Sequence, residues 1–273
     1  MHPIPTAFHI GPLEIHTYGI GLAITFWVAY RYFEHRLAKR GFATEWVSSL
    51  FLWVIASAIV GARAMHVVSN LGYYTAHPAE IFAIWQGGLS SFGGLLLAVP
   101  VAIVIARRRC PELGVLEGLD IVAPVLMAAW ALGRLLGPQL MVAGGGHPTN
   151  QWFGMYYDGQ EGKRVPVPLI QAIEDFLTYL VLLWVDHRNR ARHELEPSSP
   201  NPAGSVVATG MIIWGITRAL DEHYLLGDIG QTGSILVQIA GVALVIGGLA
   251  ILLRVHRLRR ADVPAPEGSE TSA

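Results

Sequence analysis

The sequence predicts an all-α, polytopic integral membrane protein with about seven transmembrane helices, on three observations. Apolar residues make up 52% of the 273 residues and charged ones only 14%, against roughly 25% charged in an ordinary soluble domain. The apolar residues gather into seven continuous runs without period-2 alternation, which selects helices over a barrel. Basic residues follow every second run, so charge supports the count independently of hydropathy.

In order, the runs are 18–33, 47–68, 92–106, 121–141, 169–185, 206–219 and 235–253. Most approach the ~20 residues that a spanning helix needs; the third and sixth are short. Of the 19 Lys and Arg residues, four follow the first run (Arg31, Arg36, Lys39, Arg40) and three follow the third (Arg107, Arg108, Arg109). Three more follow the fifth (Arg188, Arg190, Arg192) and four the seventh (Arg254, Arg257, Arg259, Arg260). The positive-inside rule then puts the N-terminus outside and the C-terminus in the cytoplasm. No basic n-region or cleavage site precedes Tyr18, so no removable signal peptide is expected.

Residues 1–260 read as one membrane domain and 261–273 as a disordered cytoplasmic tail; the Pro- and Ser-rich 193–204 reads as a linker. The outer connection 142–167 is long and rich in Gly, aromatic and amide residues, the profile of a functional loop. A second outer loop leads through "QGGLSSFGG" into the third run. The single cysteine, Cys110, excludes an internal disulfide. No His, Asp and Glu cluster has metal-ligand spacing, and neither a cofactor nor a nucleic-acid partner is expected.

Three arginines lie inside even-numbered runs: Arg63, Arg134 and Arg218. Each costs about 2.5–3.5 kcal/mol to place at mid-membrane on insertion scales, which makes it a functional-site candidate by default. The topology sets all three in the outer half, where Glu174, Asp175, Asp221, Glu222, His16 and Tyr18 also fall. Arg218 and Glu222 have the i,i+4 spacing of an ion pair. Guanidinium groups suit phosphate through bidentate hydrogen bonds, and the phosphate at that level belongs to lipid headgroups. The bland reading is that Arg134 or Arg218 is a helix-end anchor and Arg63 a tie between helices. His147, in the loop beyond Arg134, is a candidate general base or a loop histidine bonded to backbone. The residues alone thus leave two readings: an enzyme acting on an anionic lipid, or a membrane protein that binds an anionic lipid or other anion without chemistry.

Six stretches resemble, in order and spacing, the prolipoprotein diacylglyceryl transferases of bacterial inner membranes: "FHIGPLEIHTYGIGLA" (8–23), "GARAMHV" (61–67), "QGGLSSFGG" (86–94), "DIVAPVLMAAWALGR" (120–134), "QAIE" (171–174) and "RALDE" (218–222). The resemblance implies transfer of a diacylglyceryl group from phosphatidylglycerol to the lipobox cysteine thiol of a preprolipoprotein, at a site facing the outer side of the inner membrane. It implies catalytic roles for Arg134, Arg218, Glu222 and Tyr18. It also implies substrate contacts from Arg63, His16, Glu174, Gln171, Gly93 and Gly94. The chain departs from the family at Phe92, where many members carry histidine, and at "GRLLGPQ", where the family reads Gly-Arg-x-Gly-Asn. Either His147 and Asn150 take over those roles, or the substrate is related but different.

Overall fold

The computed structural model describes residues 7–10, 13–83, 90–137, 140, 142, 144–195, 203–222 and 232–261. The tail beyond Ala261, most of the 193–204 linker, and the "PQ" and "QGGL" positions of two quoted motifs lie outside the described residues.

Every apolar run becomes a helix. A short hairpin comes first, β1 (Ala7–Ile10) against β2 (Leu13–His16), and leads straight into α1 (Thr17–Ala38). Then follow α2 (Val47–Ser69), a short α3 (Leu71–Ala76), a 3-10 turn (Pro78–Phe82) and α4 (Ser91–Arg109). After these come α5 (Val115–Leu136), α6 (Val167–Leu195), α7 (Ser205–Asp221) and α8 (Thr232–Ala261). Between α5 and α6 lies a two-stranded ribbon, β3 (Met155–Tyr156) with β4 (Lys163–Arg164).

Among the described residues, four helices are long and apolar enough to cross a bilayer: α2, α5, α6 and the stretch Val237–Arg260 of α8. At 17 residues, α7 is about 26 Å long at 1.5 Å per residue, just short of a typical hydrocarbon core. The helix ends depart from the apolar runs for local reasons. Helix α5 stops at Leu136, before Gly137 and Pro138, where a proline disfavours further helix. Helix α6 runs ten residues past its apolar stretch, because Arg188, Asn189, Arg190 and Arg192 are compatible with an exposed helix.

The chain divides into two compact units, Tyr32–Val115 and Met1–Arg31 with Leu116–Ala273. In the first, α2 crosses α4 at glycines: a Cβ on Gly93 would collide with the Gly61 carbonyl, one on Gly61 would lie 2.8 Å from Leu97 Cβ, and one on Gly94 would lie 3.2 Å from the Ala58 carbonyl. Small residues let membrane helices approach to backbone contact, which replaces the hydrophobic drive that lipid does not supply. The second unit repeats the device where α7 meets α8, with Gly215 against the Gly241 carbonyl at 2.5 Å and Gly248 against the Ala208 carbonyl at 2.8 Å, each measured from an added Cβ.

The core of this second unit joins α5, α6 and α7 through Ala123, Met127, Leu182, Val206 and Val207. Its contacts fix the directions of the three helices. The Asp120 carboxylate on α5 accepts from the amides of Gly204 (2.7 Å) and Val207 (2.8 Å) at the start of α7. Further along, Trp130 stacks on Trp214, with ring centroids 4.7 Å apart and planes 8° from parallel. Helices α5 and α7 therefore run in the same direction, and α6, whose Asn189 donates to Ser205 at 2.7 Å, runs against both. Asp120 is a cap borrowed from another helix: it satisfies two of the amides a helix start leaves unpaired and puts negative charge at the positive end of the dipole.

Candidate functional site

At the far end of the three helices from that cap, two of the three candidate arginines come together. Arg134 leaves the last turn of α5 and reaches α6, where its Nε donates to Asp175 Oδ2 at 2.8 Å and its Nη1 donates to Gln171 Oε1. Gln171 turns its amide nitrogen to Asp221 Oδ2 on α7 at 3.1 Å. Arg218 Nη2 donates to the same Asp221 oxygen and, at 3.4 Å, to Glu174 Oε2. One chain of polar contacts thus runs from Arg134 through Gln171 and Asp221 to Arg218. The first turns of α6 present Gln171, Glu174 and Asp175 at i, i+3 and i+4, the spacing that places them on one helix face.

Burial makes this arrangement consequential. The Asp175 side chain is 1% exposed, Asp221 4% and Arg218 10%, while Glu174 at 27% is the most open of the acids. Charges removed from water need partners, and here each guanidinium has a carboxylate. Among the described residues, Asp175 Oδ1, Arg218 Nε and Trp214 Nε1 are buried without a hydrogen-bond partner.

The expected Arg218–Glu222 pair is replaced. Arg218 takes Asp221, three residues on, and Glu174 from α6. Glu222 sits at the C-cap, where the helix closes, and is only partly buried, whereas Asp221 is buried.

The other expected residues fall in three places. Tyr18 lies in the first turn of α1, where only its backbone is described, and His16 is exposed at the end of β2. His147 is tied by backbone bonds within the connection between α5 and α6: its carbonyl accepts from Val165 N at 3.0 Å, and flanking bonds join Gly146 N to Val165 O at 2.9 Å and Thr149 N to Lys163 O at 2.9 Å. Beside it the Gln160 amide clasps Gly145 in both directions, at 2.8 and 3.0 Å. Tyr157 is buried under the loop, and burial pushes its phenol up to about 12.

Arg63, Gly93 and Gly94 lie in the other unit. Arg63 donates to the carbonyls of Ile81, at 2.8 Å, and Glu80, with its guanidinium 5.3 Å from the centre of the Tyr74 ring. It ties the 3-10 turn to α2. Gly93 and Gly94 form the α2–α4 crossing described above. Phe92, at the family's histidine position, has only its backbone described.

Sequence reading marked Asp175 and Asp221 as polar residues at the level of the arginines but did not pair them. It missed Asp120 and the Trp130–Trp214 stack. A signal for the stack exists, because each tryptophan precedes its arginine by four residues.

Long apolar helices with an ionic cluster buried among three of them define a class, the helical integral membrane proteins. Within it, the chain belongs to the prolipoprotein diacylglyceryl transferase family, whose sequence profile matches residues 5–254. It is a transferase by that membership. Relatives named phosphatidylglycerol–prolipoprotein diacylglyceryl transferase include one from Bacillus velezensis, 30% identical over 93% of this chain and 92% of its own. Another, from Geobacillus kaustophilus, is 33% identical over 71% of this chain and 75% of its own. A third, from Methylibium petroleiphilum, is 29% identical over 81% and 82%. No solved structure matches the chain.

Proposed function

We propose that the protein transfers a diacylglyceryl group from phosphatidylglycerol to the lipobox cysteine thiol of a preprolipoprotein, at a site in the outer half of the bacterial inner membrane. The proposal includes seven spans, the N-terminus outside and the C-terminus in the cytoplasm. The observation that carries it is the Arg134–Gln171–Asp221–Arg218 connection, which sets two guanidiniums from parallel helices into one buried cluster.

In the reaction a sulfur–carbon bond forms at the glyceryl carbon as its carbon–oxygen bond to phosphate breaks. The phosphate oxygen keeps the electron pair, glycerol 1-phosphate leaves, and the thiol proton goes to a base. The thiol is the substrate's own, so no nucleophile of this chain is consumed. Charge grows on the leaving phosphate, and preorganised cations aimed at developing charge are usually the largest catalytic contribution. Arg134 and Arg218 take that role, oriented in advance by Asp175, Gln171 and Asp221. Glu174 lines the arginine site and Glu222 follows it at the end of α7, Tyr18 and His16 lie where α1 begins, and His147 is the proton acceptor.

The test is incubation of the purified protein in phosphatidylglycerol micelles with a lipobox peptide, reading glycerol phosphate and lipidated peptide together. Both products are expected, and both fall by at least about 10²-fold in Arg134→Ala, the scale of losing one charge-stabilising donor. In His147→Ala, kcat falls while KM holds, and raising the pH toward the thiol pKa near 8.5 restores part of the loss. Lipid binding without either product, under conditions where an authentic transferase turns over, would replace the enzyme with an anion-binding membrane protein.

A further inference from the structure

One turn before each site arginine stands a tryptophan, Trp130 before Arg134 and Trp214 before Arg218. Residues four apart share a helix face, and because α5 and α7 run in parallel the two indoles meet, stacked with centroids 4.7 Å apart. The Arg218 guanidinium lies 5.8 Å from the centre of the Trp214 ring. Both tryptophans also pack against the α5–α6–α7 core of Ala123, Met127, Leu182, Val206 and Val207. Trp184 also precedes an arginine by four, but it is 58% exposed and faces away from this core.

The stack is therefore the boundary between the ionic cluster and the apolar interior, and it carries an unmet donor. The Trp214 indole N–H is buried and has no acceptor among the described residues, and neither has Arg218 Nε in the next turn. Buried indole N–H groups ordinarily find an acceptor, and an indole nitrogen can only donate. A phenylalanine would stack here without that deficit. The two donors differ in kind and in level. A cationic donor lies with the arginines, and a neutral one about 6 Å deeper, four residues back along α7.

A glycerophospholipid presents acceptors in the same order along its length: the phosphate anion first, the uncharged ester carbonyls of the acyl chains just below it, then hydrocarbon. We propose that Trp214 donates its indole N–H to an ester carbonyl of the bound diacyl lipid, with the Trp130–Trp214 stack as the floor on which the glycerol backbone rests. This inference rests on the phosphatidylglycerol reading above and adds the part of the lipid that reading leaves unassigned. Trp214 is then a specificity-determining residue: it distinguishes acyl from alkyl lipids, whose ether oxygens are poor acceptors.

The experiment is equilibrium binding of short-chain diester phosphatidylglycerol and its dialkyl ether analogue to the detergent-purified full-length protein and to Trp214→Phe, which keeps an aromatic ring and removes the N–H. The expected result is that the wild-type protein binds the diester about three- to tenfold more tightly, the factor one net hydrogen bond supplies. In Trp214→Phe the diester weakens by that factor and the diether is unchanged, so the diether affinity also reports an intact site. A variant that keeps the ester preference, or loses affinity for both lipids equally, would overturn the assignment to Trp214 while leaving lipid binding in place. Failure of the wild-type protein to bind either lipid would remove the phosphatidylglycerol reading itself, and this inference with it.

Discussion

At the scale of single residues, buried polar groups in this protein divide by whether the fold supplies a partner. Arg63 holds the carbonyls of Ile81 and Glu80, whereas Arg134 is held by side chains of the neighbouring α6 and Arg218 by Asp221 of its own helix and Glu174 of α6. Main-chain carbonyls cannot give way to a ligand without moving the backbone; carboxylates and an amide can exchange partners by rotating side chains. Tyr157 is the contrasting case in the α5–α6 connection, a buried hydroxyl without a partner among the described residues. An unsatisfied buried hydroxyl costs about 1–3 kcal/mol, so Tyr157→Phe is expected to leave the thermal midpoint in detergent unchanged or raised near neutral pH. The pH dependence has a definite sign. The native phenol titrates near 12 and an unfolded one near 10, so the unfolded state loses its proton first and native stability falls as pH rises from about 10 to 12. Thermal melts across that interval should show a shallower decline in the variant.

At the scale of elements, glycine decides which helices touch. A side chain at Gly93 would strike the Gly61 carbonyl and Met65, so Gly93→Leu is expected to force α2 and α4 apart at a cost of about 1–3 kcal/mol or more. Gly19, in α1, has nothing within 4 Å of an added Cβ, and Gly19→Ala should gain up to about 1 kcal/mol of helix propensity. Melting the two variants side by side in one detergent checks both; equal behaviour would mean that the α2–α4 crossing is not a close contact. The same crossing gives the family-like "SSFGG" stretch a packing role, since Gly93 and Gly94 face α2.

For the whole molecule, the apolar runs placed the long helices in order, because hydropathy is read from local composition, while the short α3 lies outside every run. The candidate site was half legible. Arg134 and Arg218 stood out because a cation in an apolar run is costly, but their partners did not, because Asp175 meets Arg134 across 41 positions and Gln171 meets Asp221 across 50. The β1–β2 hairpin escaped notice for another reason: its four-residue strands are too short for alternation to register against neighbouring helix. Sidedness remains open to direct measurement. Cys110, the one native cysteine, is buried, so Asp158→Cys and His193→Cys can be probed with a membrane-impermeant maleimide. Labelling of Asp158→Cys in intact spheroplasts, and of His193→Cys only after permeabilisation, is expected; the reverse pattern would invert the topology.

The cap that Asp120 places on the start of α7 turns two helices into a matched pair of rulers with a common zero. Counting from Asp120 along α5 and from Gly204 along α7, Trp130 and Trp214 both stand at the tenth mark, and Arg134 and Arg218 both at the fourteenth, about 21 Å away at 1.5 Å per residue. Deleting one residue between zero and the fourteenth mark in either helix would lower its arginine by about 1.5 Å and swing it about 100° around the axis, out of reach of α6. Length variation among relatives should therefore collect in the segment before Gly204, where added chain leaves both scales unread, and be purged from the intervals 120–134 and 204–218.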